Sequence, residues 1–400
     1  LLLGTVAIVR GEEPGAEPAA PAESATAEEA KPAEPAPAAE SAATPAATIV
    51  RLDVYPPDIT LHTAADRQRF LAVATRSDDV TLDVTGDVEV ALANAALARI
   101  ENGTVFPTAD GETELAVTYQ GHEAKIPVKI TAATTARPIS FRLDVMPVMM
   151  RAGCNTGSCH GAARGKDGFR LSLFGFDPAG DYFRITRELG TRRSNLAQPD
   201  KSLFVEKAVG SVPHTGGKRF DTETSYYGTL MTWLEHGAPD DAGEVPKVTS
   251  LEIYPPSVLL EGEGATQSFI ARAQYADGTS RDVSDLVVFL TNNDNSASID
   301  TDGHVTAGAR GEAFVMARFD THTEGSQVIV LPSELNYTPP ESQPVNYVDE
   351  LVNAKLKKLR ILPSGICSDE VFLRRATLDI TGLLPTEEEY YAFMSDEDPN

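Results

Sequence analysis

Leu52-Asp53-Val54-Tyr55-Pro56-Pro57 returns further along the chain as Leu251-Glu252-Ile253-Tyr254-Pro255-Pro256, and this recurrence decides the fold. At the same offset Phe70 matches Phe269, Ala72 matches Ala271, and Asp83-Val84 matches Asp282-Val283. After one inserted residue, Gly103 and Val105 match Gly303 and Val305, and Gly111-Glu112 matches Gly311-Glu312. Agreement sustained over the length of a small domain is duplication. Within each copy, stretches such as Phe70-Leu71-Ala72-Val73-Ala74 and Phe269-Ile270-Ala271-Arg272-Ala273 alternate in side-chain size or polarity. Turn formers such as Asp277-Gly278 and Asp302-Gly303 separate such stretches. The pattern predicts a small antiparallel sandwich over residues 48–133 and another over 247–331. Neither copy contains cysteine, so no disulfide joins their sheets.

Around these copies the composition changes character. The opening Leu1-Leu2-Leu3-Gly4-Thr5-Val6-Ala7-Ile8-Val9 is apolar but too short to cross a bilayer alone. It reads as the remnant of a signal or anchor segment, which predicts export to the periplasm or cell surface and membrane contact only through that anchor. Residues 10–47 are almost wholly Ala, Pro, Glu, Ser and Thr, with Lys31 the one base after Arg10. Such a segment lacks the side chains to offset the entropy of ordering, so a disordered tether is expected.

Between the copies, residues 139–239 lose the strand alternation, and Arg and Lys slightly outnumber Asp and Glu. Residues 144–152 combine a helix-start proline with apolar positions on one side, and Tyr226, Leu230 and Trp233 recur at helical spacing. Gly237-Ala238-Pro239 then supplies a helix stop. This segment reads as a small, mostly helical insert. A proline-rich linker (332–345) leads to three helix patterns over 346–400. Asn346 caps the first, with Val348, Leu351, Val352, Leu356 and Leu359 on one face; Ser368 caps the second, through Leu378. Thr386 with Glu389 forms a capping box for the third. The fold class is therefore multidomain and mixed: two all-β sandwiches flank a small α domain, followed by an all-α domain that reads as incomplete. The chain is expected to be a fragment of a longer protein.

A net charge of -25 excludes a nucleic-acid binder that works through a basic face. Phosphate loops, nucleophile elbows and His-Glu metal helices are likewise missing from the sequence, so no enzyme chemistry is legible in it.

The distinctive chemistry lies in Gly153-Cys154-Asn155-Thr156-Gly157-Ser158-Cys159-His160-Gly161. A c-type haem needs two cysteines in a tight local turn, to add across its vinyl groups, and a histidine directly after the second, to ligate the iron. Here Cys154 and Cys159 enclose four residues rather than the usual two, and Gly157 lets the wider loop bulge. Three rival readings stay open: a local Cys154–Cys159 disulfide in an exported protein, a zinc site short of ligands, and redox thiol exchange.

The motif and the residues after it look like the planctomycete-type cytochrome c family. The stretches that carry the resemblance are Gly168-Phe169-Arg170-Leu171-Ser172-Leu173-Phe174-Gly175-Phe176-Asp177-Pro178, Pro199-Asp200-Lys201-Ser202-Leu203-Phe204, Pro213-His214-Thr215-Gly216-Gly217-Lys218-Arg219-Phe220 and Trp233-Leu234-Glu235-His236-Gly237-Ala238-Pro239. The duplicated copies resemble bacterial Ig-like domains of group 2. Leu373-Arg374-Arg375-Ala376-Thr377-Leu378-Asp379-Ile380-Thr381-Gly382-Leu383-Leu384-Pro385-Thr386 resembles the opening of the helical domain of unknown function associated with that family.

The resemblance implies one haem c attached at Cys154 and Cys159, with His160 as proximal iron ligand. The loop expected to supply the sixth ligand contains no methionine but does contain His214, which becomes the candidate distal ligand, with Met231 second. Arg170, Lys218 and Arg219 are candidate contacts to the haem propionates. Arg164 and Lys166 join them as candidates for that role or for a docking face. His236 reads as a helix-end contact, while His62, His122, His304 and His322 read as surface residues. Cys367 reads as a buried apolar side chain. The function expected is exported electron transfer to an unknown redox partner; a further hypothesis is that the haem domain feeds electrons to an enzymatic domain outside this sequence. The alternative is a cell-surface adhesion or carbohydrate-binding scaffold with a Cys154–Cys159 disulfide and no haem.

Overall fold

A computed structural model describes residues 47–241, 245–333, 335, 337–341 and 343–396. The anchor remnant and nearly all of the tether expected at the start of the chain lie outside the described residues.

The first copy builds one sheet from β1 (Ile49–Tyr55), β4 (Leu71–Arg76) and β5 (Thr81–Asp83), in the order β1-β4-β5. A second sheet runs β2 (Ile59–Leu61), β10 (His122–Ile130), β9 (Gly111–Tyr119), β6 (Glu89–Leu92). A small third runs β3 (Gln68–Arg69), β8 (Thr104–Pro107), β7 (Ala98–Glu101). The second copy repeats this strand for strand. Its sheets are β11 (Val248–Tyr254), β14 (Ile270–Tyr275), β15 (Ser280–Asp282); then β12 (Ser257–Glu261), β20 (His322–Leu331), β19 (Gly311–Phe319), β16 (Val288–Thr291); then β13 (Thr266–Ser268), β18 (His304–Ala307), β17 (Ala297–Ile299).

Alternation along the strands sends one set of side chains inward. The first core gathers Val54, Phe70, Ala72, Val84, Leu115, Val117 and Val128; the second gathers Ile253, Phe269, Ala271, Val283, Val315, Ala317 and Val328. The matched glycines have a backbone reason. Phe70 N–H donates to Gly103 O and Phe269 N–H to Gly303 O, with φ of 70° and 89° at the two glycines. A Cβ on Gly303 would lie 2.6 Å from Phe269 O, so only glycine fits there.

The expectation of purely antiparallel sandwiches needs correction, because β2 runs parallel to β10 and β12 runs parallel to β20. Pro56-Pro57 and Pro255 lack the N–H that would extend the first ladder. The chain therefore leaves the first sheet at the Tyr-Pro step and joins the edge of the other, beside the final strand and in its direction.

The two β domains meet through equivalent residues. Asp83 Oδ1 accepts from the Thr85 amide and hydroxyl, and Asp282 Oδ1 accepts in the same way from Ser284. The other carboxylate oxygen of each crosses the interface: Ser268 N–H donates to Asp83 Oδ2 and Arg69 N–H to Asp282 Oδ2, both at 2.8 Å. Tyr55 and Tyr254 stack on each other between the domains, ring centroids 5.6 Å apart.

The intervening segment is helical, with no strand among its described residues beyond the isolated Lys166–Phe169 bridge. After a π-helical turn, Phe141–Val145, come α1 (Met146–Arg151), α2 (Pro178–Thr186), α3 (Gly190–Arg193), α4 (Leu203–Val209) and α5 (Ser225–Glu235). The one-sided apolar face expected for residues 144–152 is exceeded. Met146, Pro147, Val148, Met149 and Met150 are all buried, so α1 runs through the middle of the segment. Around it pack Phe141, Leu171, Ile185, Val205, Phe220, Leu230, Leu234 and Trp233, whose Nε1–H donates to Pro239 O at 2.9 Å. Thr224 caps α5 by accepting from Tyr227 N, and Gly237 in the left-handed region ends the turn after it.

Three further helices follow: α6 (Tyr347–Leu359), α7 (Asp369–Thr381) and α8 (Glu387–Met394). Asn346 with Asp349, and Thr386 with Glu389, form reciprocal capping boxes. Ser368 occupies the N-cap of α7, but its side chain makes no capping bond, and the helix runs past Leu378 to Thr381. The apolar face of α6 is largely exposed at Val348, Leu351 and Val352, whereas Leu359 packs against Val80, Leu259 and Leu331. Arg360 then reaches Asp78 of the first β domain and Glu261 of the second. Cys367, expected to be buried, is half-exposed because α7 buries none of its side chains.

Candidate functional site

The loop after α1 is wound tightly by its own backbone. Cys154 N–H donates to Met149 O, Cys159 N–H to Thr156 O, Gly161 N–H to Thr156 O and His160 N–H to Cys154 O. A Cβ on Gly161 would sit 2.1 Å from Asn155 O, so the closure of the loop depends on that glycine. Cys154 and His160 are thereby held side by side on the wall of a largely apolar cleft. Met149, Phe169, Leu203, Phe204, Phe220 and Leu230 supply its apolar surface.

His214, from the loop between α4 and α5, lines the same cleft. Its imidazole is nearly parallel to that of His160, with 7° between the planes and 6.2 Å between the centroids. Nδ1 of His160 lies 2.9 Å from Phe169 O, and Nδ1 of His214 lies 2.8 Å from Gly217 O. A carbonyl only accepts, so in the neutral ring each Nδ1 carries the proton and each Nε2 keeps a free lone pair. Burial pushes the His160 pKa below its ordinary value, and the nearby His214 adds to this, while the bond to Phe169 O opposes it. The neutral, ligating form is thus the favoured one.

The residue that supplies the carbonyl partner of His160 is itself held. The buried Arg193 guanidinium lies 4.5 Å over the Phe169 ring and donates to Gly168 O at 3.0 Å and to Glu188. Asp181, fully buried, accepts from Ser172 N and Oγ and from Arg184, which fixes the stretch that follows. Its carboxyl is pushed above the usual range by that burial, against the lowering by Ser172 and Arg184.

The two cysteines differ. Cys154 lines the cleft, with its thiol pushed up to about 11 by burial. Cys159 is 8% exposed and outside the cleft lining, and its Sγ accepts from Arg219 Nη2 at 3.2 Å. All three cysteines are free thiols in the structure. Asn155, between them, is fully buried with neither amide end partnered.

Of the candidate propionate contacts, Arg170 is exposed and off the cleft, Lys218 pairs with Asp221, and Arg219 is engaged with Cys159. Lys166, Arg192, Arg193 and Lys207 are the cations on the cleft wall. Lys166 was among the sequence candidates; the other three come from α3 and α4, far from the motif in sequence, and only the fold reveals them. Met231 is half-buried on α5 and does not reach the cleft, where its neighbour Leu230 does. His236 Nδ1 lies 2.7 Å from Thr232 O and so closes its own helix end.

No group of three or more metal-binding side chains forms among the described residues. A haem iron needs only two from the protein, since the porphyrin supplies four nitrogens. Two imidazoles that share one metal ion, each nitrogen about 2 Å from it, have ring centres roughly 6 Å apart. The separation of His160 and His214 fits that, and the apolar wall with cations at its rim fits an amphiphilic macrocycle.

No curated protein matches the chain. Among solved structures it overlaps "Structure of the S-layer protein SbsC, domains 5-6" at 12% identity over 71% of this chain and 99% of that one, with a TM-score of 0.28. It overlaps SbsC domains 1-6 at 10% identity and a TM-score of 0.19, covering 72% of this chain but only 29% of that longer one. Drosophila OTK, extracellular domains 3-5, overlaps at 7% identity and a TM-score of 0.15, over 71% of this chain and 63% of that one. Residues 347–400 match the family described as PSCyt2, a protein of unknown function (DUF1549), and so carry the sequence relationship that the C-terminal motif announced.

Proposed function

We propose that the helical segment binds one haem c, its iron between His160 and His214, and that the chain is an exported electron-transfer protein whose β domains act as spacers. The observation that carries this is the near-parallel His160–His214 pair at 6.2 Å, each ring holding its Nδ1 on a backbone carbonyl and so leaving Nε2 unprotonated in the neutral form. When bound, the haem supplies the one-electron couple. The chain's residues do the rest. His160 and His214 would hold the iron, and Arg193, stacked on the Phe169 ring and bonded to Gly168 O, steadies the residue whose carbonyl orients His160. Met149, Phe204, Phe220 and Leu230 keep water from the macrocycle, while Lys166, Arg192 and Lys207 offer positive charge to its carboxylates. Two histidines, in place of a methionine and a histidine, favour a low potential. The redox partner is proposed to be another exported protein. No helix among the described residues is long and apolar enough to cross a membrane.

The test is to produce the full chain with haem-attachment machinery and record its spectrum. A red protein with a low-spin spectrum is expected. A colourless protein removes the reading and leaves the scaffold alternative.

A further inference from the structure

Resting on the haem reading above, we infer that Cys154 alone forms the covalent bond to the macrocycle, and that Cys159 is a structural thiol held out of the cleft by Arg219. Cys154 lines the cleft beside His160 and packs against the apolar cluster of the helical segment. Cys159 lies outside that lining, and its Sγ is taken up by Arg219 Nη2.

The backbone holds Cys159 in a closed turn. Cys159 N–H is bonded to Thr156 O, and Gly161 N–H is bonded to the same oxygen. The Cβ position of Gly161 is filled by Asn155 O. His160, next in that turn, donates its N–H to Cys154 O and accepts from Leu171 N, and turning the Cys159 thiol towards the cleft would break its bond from Arg219 Nη2. The four-residue gap thus makes room for a closed turn between the cysteines, rather than a wider span for both to reach one macrocycle.

The chemistry balances with one thiol. The Cys154 S–H adds across one vinyl group: an S–C bond forms at one vinyl carbon, the sulfur's proton ends on the other, and no oxidant or reductant is consumed. The second vinyl stays unsaturated. Arg219, chosen from the sequence as a propionate contact, is thereby reassigned to Cys159.

The full chain is produced with haem-attachment machinery, denatured, and examined by intact mass and by its pyridine haemochrome. Wild type and Cys159→Ala are each expected to keep one haem mass. Cys154→Ala is expected to show the low-spin spectrum when folded and to lose its haem on denaturation. The wild-type α band is expected at longer wavelength than that of a two-thioether haem c, because one vinyl remains conjugated. Cys159→Ser preserves the size and the acceptor for Arg219, and it reports if the alanine variant fails to fold. A two-thioether haemochrome, or loss of covalent haem from a folded Cys159 variant, overturns this inference alone. A chain that takes up no haem overturns both it and the haem reading.

Discussion

Asp144, from the first turn of the helical segment, and Arg281, from a strand of the second β domain, form an ion pair at 2.9 Å with the carboxylate almost fully buried. Arg137 reaches the same carboxylate with both terminal nitrogens at 2.8 Å, and Ser140 N–H donates to it. One side chain thus ties the segment before α1, the helical segment and the second β domain together.

Removing that carboxylate leaves two guanidinium groups without their partner. Asp144→Ala is expected to cost about 3–5 kcal/mol, the range for breaking a buried pair from one side. Urea unfolding of the full chain measures it. A loss below about 1 kcal/mol would mean the pair is solvent-screened.

The same residue sets an acid limit. Burial raises the Asp144 pKa, but Arg137 and Arg281 outweigh it, so the folded value lies below the ordinary 3.8. The unfolded chain therefore takes up this proton first. The stability Asp144 contributes is present above pH 3.8 and is lost as pH falls through the folded value. Asp144→Asn is expected to flatten that part of the acid unfolding curve.

On the haem reading proposed above, His214→Ala is expected to convert the low-spin spectrum of the haem-loaded chain to high-spin, while Met231→Ala leaves it unchanged. A low-spin spectrum surviving in His214→Ala would move the distal ligand elsewhere.

Arg193→Lys keeps the charge but loses the planar stack on Phe169 and the forked donors. By analogy with outer partners of metal-ligating histidines, a 10–100-fold weaker haem affinity is expected, about 1.4–2.7 kcal/mol. Titrating haem into chain produced without the attachment machinery reads it. Far-UV circular dichroism should stay unchanged.

Asn155 is buried with both amide ends unpartnered. Asn155→Val replaces it with an apolar group, and a gain of about 1–3 kcal/mol in thermal stability of the haem-free chain is expected. A loss would show that the amide has a partner in solution.

The duplication was legible because matched positions do matched work. Asp83-Val84 and Asp282-Val283 pair a turn-closing carboxylate with a core valine, and Gly103 and Gly303 supply the left-handed backbone that lies against Phe70 and Phe269. What could not be read was that the second oxygen of each aspartate crosses to the other domain, since nothing local encodes it. In the helical segment, Cys154, His160 and His214 were visible as residue types, and the fold brings all three to one cleft. Arg170 misled because nearness in sequence is not direction. It directly follows Phe169, yet Phe169 lines the cleft while Arg170 is exposed outside it. Arg192 and Lys207 reach the cleft from separate helices that no spacing rule connects to the motif.

The reciprocal bonds of Asp83 and Asp282 around the Tyr55–Tyr254 stack amount to a two-fold contact within one polypeptide. Such a contact is self-complementary, so each copy spends its matching face on the other and none is left over to recruit a third. What one molecule's first copy offers its own second copy, it offers equally to the second copy of a neighbour, and the covalent link through the helical segment helps keep the partner at hand. Cutting or lengthening that link converts an internal pairing into a route to swapped dimers.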